Sequence, residues 1–173
     1  MSKESIFEFV EGLNVSPTYI ANRDQVLQYT NEDMNLRLDN DEQVYIAVFD
    51  IPIESGIVGF QTQSLALVFG LNTHLYHGSG SVVVGLEERN PVMRAMQSVL
   101  ISSHQVLPYM KKTDKTDFYN SDNVRVYLKT KKGIFFKELS DKDNKIDKFL
   151  LGMMYHVLNA ITETGGIEGS ISN

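Results

Sequence analysis

A chain of 173 residues, 42% hydrophobic and 22% charged, has the size and composition of one folded domain. It contains no cysteine, which excludes disulfides, thiolate nucleophiles, iron–sulfur clusters and cysteine-ligated zinc. The formal net charge of −6 is unevenly spread: residues 1–54 hold eleven acids and three bases, residues 55–86 hold no charged residue, and residues 111–148 hold eleven of the sixteen bases.

Near the N-terminus, Ile6, Phe7, Phe9, Val10 and Leu13 form an apolar stripe that predicts a short helix ended by Gly12. Glu8 and Glu11 interrupt that stretch, so it does not read as an export signal. No run approaches the ~18 apolar residues of a membrane span. The expected location is the cytoplasm, without membrane association. Asn22-Arg23-Asp24-Gln25 resembles a capping box ahead of Val26 and Leu27, predicting a second short helix. Met34, Leu36 and Leu38 then alternate with Asn35, Arg37 and Asp39, the pattern of a strand with one wet face. Val44 to Ile51 is apolar on both faces and predicts a central strand, stopped by Pro52.

Six of the twelve glycines fall between Gly56 and Gly85. Strands are expected over Ser64–Phe69, Leu71–Tyr76 and Ser81–Leu86, with a turn at Gly78-Ser79-Gly80. The link from Pro52 to Ser64 has no clear pattern. Asn90-Pro91 is an N-cap followed by proline in the first helical position, Val92, Met93, Met96, Val99, Leu100 and Leu107 follow at helical spacing, and Pro108 is expected to stop the helix. Residues 111–123 read as a solvated loop. Val124, Val126 and Leu128 alternate with Arg125, Tyr127 and Lys129, and Lys132-Gly133 turns the chain into Ile134–Leu139. A last helix begins near Ser140, buries Ile146, Phe149, Leu150, Met153, Val157 and Ile161, and ends at Gly165-Gly166.

Strands arrive in consecutive groups, which predicts an α+β fold: an antiparallel sheet of about five to six strands packed against two long helices, with short N-terminal helices. Residues 1–163 are expected to form a single domain, followed by a flexible tail over 164–173.

The candidate chemistry is sparse. His74 and His77 are good metal ligands by type, but their spacing sends them to opposite faces of a strand, and no metal is assigned. Gly78-Ser79-Gly80-Ser81 has the glycine content to cradle an anion but lacks the rest of a phosphate loop, and reads as a hairpin turn. Ser79, His77 and Asp50 possess the residue types of a hydrolytic triad without its nucleophile turn. Arg125, Tyr127, Lys129 and Lys131 share a hairpin face on which single-stranded nucleic acid would find cations and an aromatic ring, although the acidic net charge disfavours it. The acidic first third reads as a solvated face rather than a docking surface for a basic partner.

The charge-free span 55–86 carries most weight, because surface segments are commonly charged. It predicts shielded strands that serve as core, as a ligand cavity or as a self-associating sheet. The ligand-binding residues expected from it are His74, Tyr76, His77, Ser79 and Ser81. The composite expectation is a non-enzymatic binding or assembly protein. It would act through protein contact or a small neutral ligand, as a homo-oligomer, with no catalytic residue and no cofactor. The alternatives are a small hydrolase or transferase around His74, His77 and Asp50, and a nucleic-acid accessory protein using the 125–132 hairpin.

Overall fold

A computed structural model describes residues 10, 13, 15–53, 62–69, 72–166 and 171–172. The described elements are α1 (Pro17–Gln28), β1 (Ile46–Pro52), β2 (Thr62–Val68), β3 (Asn72–His77), β4 (Val82–Val83), α2 (Asn90–Ser102), β5 (Lys111–Thr113), β6 (Val124–Thr130), β7 (Gly133–Leu139), α3 (Lys145–Glu163) and β8 (Ile171–Ser172). The strands form one antiparallel sheet in the order β5-β7-β6-β1-β2-β3-β4-β8. The α+β class with helices packed on an antiparallel sheet therefore holds. The sheet is larger than expected, with eight described strands.

The sheet is covered on both faces. Ala47, Phe49 and Ile51 of β1 point toward α2 and α3 and pack with Leu65, Leu67, Leu75, Met96, Val99, Leu150 and Val157. Ile46 and Val48 point the other way, with Ala66, Val68, Tyr76 and Tyr127, under Tyr19, Val26 and Leu27 of α1. The strict alternation of β1 between two apolar layers is why its sequence is apolar on both faces.

Helix α1 starts earlier than the expected capping box. Ser16 is its N-cap and accepts a hydrogen bond from the Tyr19 amide at 3.1 Å, with Pro17 in the first turn. The helix N-terminus is docked on the β3–β4 turn, where Gly78 accepts from the Ser16 amide at 2.8 Å. Gly80 has φ 103°, and a side chain there would meet Ser16 Oγ at 3.1 Å and Thr18 Cβ at 3.3 Å. Glycine is thus required for both conformation and close approach.

Four other expectations need correction. The alternation at Met34–Leu38 does not form a strand. The chain turns there, with Asn35 at φ 52°, the Asn31 side chain donating to the Leu36 carbonyl, and Thr30 and Asp33 bonding each other's backbone amides. Such local side-chain bonds compete with a sheet ladder. The strand expected over Ser81–Leu86 shortens to Val82–Val83, because Gly85 enters the left-handed region (φ 77°) and opens a 3-10 turn at Leu86–Glu88. The supposed solvated loop 111–123 begins with an edge strand and then folds over the α1 layer, burying Phe118. The expected face of Arg125 and Tyr127 is interior: each is 1% exposed, beneath α1 and residues 116–119. The helix expected over Ile6–Leu13 falls almost entirely outside the described residues.

The two long helices form where expected but with shifted ends: Arg89 rather than Asn90 is the N-cap of α2, its α-helical part stops at Ser102 before Pro108 is reached, and α3 starts after Asn144 rather than near Ser140. Helix α2 begins at Asn90-Pro91 and tightens into a 3-10 segment over Ser103–Tyr109. Helix α3 is capped by Asn144 and leaves the helical region at Gly165 (φ 112°) and Gly166 (φ 65°). Neither α1 nor α3 has a basic residue in its last turn. Remote cations take that role: Lys129 donates to the Leu27 and Tyr29 carbonyls at 2.7 and 2.6 Å, and Arg89 donates to the Ile161 and Gly166 carbonyls.

One ionic cluster ties α1 to the sheet. Asp50, Ser64 and Arg125 lie in register on neighbouring strands and project into the α1 layer. Arg23 of α1 donates from Nε to both Asp50 oxygens at 3.1 and 3.0 Å and from Nη2 at 2.9 Å, with both residues 0% exposed. Ser64 donates to Asp50 at 2.6 Å, so the Tyr19 hydroxyl, 2.5 Å from Ser64 Oγ, is the donor of that next bond. The remaining Arg23 nitrogen holds the Thr116 carbonyl at 2.7 Å. Arg125 holds the carbonyls of Tyr119 and Asn123 at 2.6 and 2.7 Å, and Phe118 lies 5.7 Å from the Arg23 guanidinium and 5.3 Å from that of Arg125.

Arg23→Met strands the Asp50 carboxylate in the interior and is expected to cost ~3–5 kcal/mol in urea unfolding. Adding Asp50→Leu removes the stranded charge, so the double variant is expected to be more stable than Arg23→Met alone. Additive losses would contradict the pairing.

Candidate functional site

The end of the sheet where β2 passes into β3 carries a cavity of about 400 Å³ between α1 and the sheet. Its floor is Val26, Met34 and Val68, and its polar lining is Gln25, Tyr29, Asp33, Asn72, His74 and Tyr76. Few polar groups over an apolar floor, in a volume of this order, are the ordinary anatomy of a small-ligand site.

Each wall follows from the chain. His74 and Tyr76 are two apart on β3, so both project to the α1 side. Their side chains join, with His74 Nδ1 2.9 Å from the Tyr76 hydroxyl and the rings edge to face at 5.6 Å. Gln25, Val26 and Tyr29 lie at the C-terminal end of α1 and share one face, three and four residues apart. The turn over residues 30–36 adds Asp33 and Met34.

Burial governs the titration of the His74–Tyr76 pair. Burial pushes the His74 imidazole below its usual value, against an opposing influence from Glu87, which itself accepts the Thr73 amide at 3.0 Å. Burial, reinforced by Tyr29, pushes the Tyr76 phenol up to about 12. At neutral pH the pair is an uncharged imidazole and an uncharged phenol. Asp33 brings a carboxylate, but it accepts the Thr30 amide and faces the Lys129 ammonium that closes the end of α1. Engagement of Nδ1 by Tyr76 leaves the other imidazole nitrogen as the group able to address a ligand, as donor or acceptor according to tautomer.

The expected ligand-binding residues are only partly brought together. His74 and Tyr76 line the cavity. His77 shares the face of Leu75, toward α2 and α3, and burial lowers its imidazole as well. Ser79 and Ser81 sit in the β3–β4 turn and bond each other, with oxygens 3.3 Å apart. In the glycine-rich turn the Gly78 amide donates to Thr62, the Gly80 amide to His77 and the Ser81 amide to the Ser79 hydroxyl. Asp50 is enclosed by Arg23 and Ser64 on the opposite side of the sheet from His77. The His74, His77 and Asp50 set and the Ser79, His77 and Asp50 set are therefore not assembled at one face. The hairpin set is likewise divided: Arg125 and Tyr127 are interior, Lys129 caps α1 and Lys131 stands exposed in the β6–β7 turn.

Gln25, Tyr29 and Asp33 are site residues that composition did not reveal. The available signal was Ser16-Pro17, the same cap-then-proline pattern that marks α2. A helix started there carries Gln25 and Tyr29 on one face.

Among the described residues, no group of three or more histidines and carboxylates is placed to hold a metal ion, and no helix is long and apolar enough to cross a membrane. No protein-family model matches the chain, and no curated protein or solved structure is significantly similar to it.

The lowered His74 value sets the sign of a pH effect. Its neutral form is favoured by folding, so this contribution is complete above the unfolded pKa of ~6.5 and is lost as the pH falls from there through the folded value. NMR titration of His74 should give a midpoint below ~6.5, with stability in urea declining over the same interval. A midpoint at or above ~6.5 would show that the ring is not desolvated.

Proposed function

We propose that this protein is a binding module for a small, neutral, planar molecule held over the His74–Tyr76 pair. The observation that carries this reading is the pair itself: two hydrogen-bonded aromatic polar side chains, both uncharged at neutral pH, in the wall of a cavity about 400 Å³ in volume. A general acid or base works best with a pKa near the operating pH, and this imidazole and phenol are displaced away from it on opposite sides. The arrangement suits recognition rather than proton transfer. The rings of Tyr29, Tyr76 and His74 offer faces for stacking, and Gln25 and Asn72 offer amide donors and acceptors. Asp33, the one carboxylate of the lining, already accepts the Thr30 amide and interacts with Lys129.

This reading keeps the small neutral ligand expected from the charge-free span and gives up assembly through its strands. β2 is flanked by β1 and β3 and is covered on both faces in its described part, so it offers no open surface to a second copy.

A set of four fragments tests the reading by amide NMR: uracil and benzamide as neutral planar probes, benzoate and benzylammonium as charged counterparts. The neutral probes should shift Val26–Tyr29 and Asn72–Tyr76 at millimolar concentration. His74→Phe and Tyr76→Phe should each weaken the response ~5-fold or more by removing a hydrogen-bonding group. Absence of any shift from the neutral probes, or equal response to all four, would overturn the proposal.

A further inference from the structure

A second cavity, about 760 Å³, opens at the same end of the molecule beside α2. Val44 and Leu100 are buried at its base, the half-buried Phe69 and the exposed Ile101 supply its accessible apolar surface, His104 stands beside them, and its rim carries Asp39, Asp41 and Glu42. Ile101 is 63% exposed, a large aliphatic side chain left in water in the last turn of α2. The rim already holds one ammonium, since Lys132 Nζ lies 3.3 Å from Glu42 Oε1. Those side chains are 53% and 64% exposed, so the pair is weak and exchangeable.

The complement of this groove is on the same chain. The 3-10 segment after α2 ends at Tyr109, which is 64% exposed. Lys111 and Lys112 follow in the edge strand β5, with Lys115 just beyond, all exposed. An aromatic ring in water in a segment that keeps a net positive charge, three lysines against the exposed Asp114, matches a partly apolar groove rimmed by three carboxylates, and Lys112 is the lysine on the groove's side of β5. The two patches adjoin. Lys112 lies against Gly133, where an added side chain would come within 2.9 Å of its stem, and the neighbouring Lys132 lines the groove. Adjacent complementary patches on one face are the arrangement a two-fold axis between them makes self-complementary.

We propose that the groove receives the Tyr109–Lys115 knob of a second copy of this chain. Tyr109 covers Phe69 and Ile101, and Lys112 meets Asp39, Asp41 and Glu42 in place of Lys132, with Lys111 and Lys115 adding to the local positive charge. The partner is a second copy because both halves of the contact are present, exposed and of opposite sign on one molecule. A small polycation would use the rim and leave the apolar surface wet.

Charge reversal with mixing tests this by sedimentation velocity at micromolar concentration. The wild type should dimerise, more weakly in ~1 M than in ~0.02 M salt. Asp41→Lys/Glu42→Lys and Lys111→Glu/Lys112→Glu should each weaken self-association ~10-fold or more, and an equimolar mixture of the two should recover it to within ~3-fold. The exposed changes Ile101→Ser and Tyr109→Ser should weaken it without affecting folding, and they serve if a reversal variant fails to fold. A wild type that remains monomeric, reversals without effect, or a mixture that does not recover association would overturn the proposal.

Discussion

The bond between Arg23 and Asp50 is the buried ion pair between α1 and the sheet, and Lys129 ties the two through carbonyls at the helix end. A carboxylate in the middle of the central strand is tolerable only with its counter-ion in place, because desolvating an unpaired charge costs several kcal/mol. That requirement fixes α1 over β1, at the height where the Arg23 fork meets Asp50. The position of α1 then sets everything at its two ends: Ser16 on the glycine turn at one, and Gln25, Val26 and Tyr29 over β3 at the other. The candidate cavity exists because the helix is held at that height and its C-terminal turn overhangs the sheet.

The same cluster recruits a polar segment into the interior. Residues 116–123 have too few apolar side chains to bury themselves, yet Phe118 is enclosed. Two guanidiniums accomplish this by binding backbone carbonyls of the segment and lying against the Phe118 ring. Beyond it, Glu138 accepts hydrogen bonds from Asn123, Tyr119 and Ser121, which hold its carboxyl below the usual range. The polar groups thus run in one row across the sheet, from Glu138 through Arg125 and Asp50 to Ser64, in register on four strands. Directional bonds along that row specify how the layers meet, while the apolar surfaces supply most of the stabilisation.

Much of the fold was legible in the chain because the information was local. Asn90-Pro91 and Gly165-Gly166 mark helix ends through backbone chemistry alone, and the apolar run at Val44–Ile51 announces a strand buried on both faces. The site was half legible. A charge-free span pointed to shielded strands, and two of its five proposed ligand residues line the cavity. Long-range matters were not legible. Period-two spacing correctly puts Arg125, Tyr127 and Lys129 on one face but says nothing about what covers that face, and here α1 and Phe118 cover it. Asp50 carries no mark of a partner 27 residues away. Met34–Leu38 alternates like a strand, yet Asn31 and Asp33 bond locally and turn the chain first.

The account rests on the claim that the buried ion pair, rather than the apolar surface of α1, determines where that helix sits. Hydrogen exchange of Asp50→Asn, followed residue by residue under native conditions, tests it most directly, because the change keeps shape and removes charge. The account predicts faster exchange confined to residues 19–28 and 116–123, with α2, α3 and the β6–β7 hairpin protected as in the wild type. Unchanged protection of α1, or a uniform loss throughout the molecule, would contradict it.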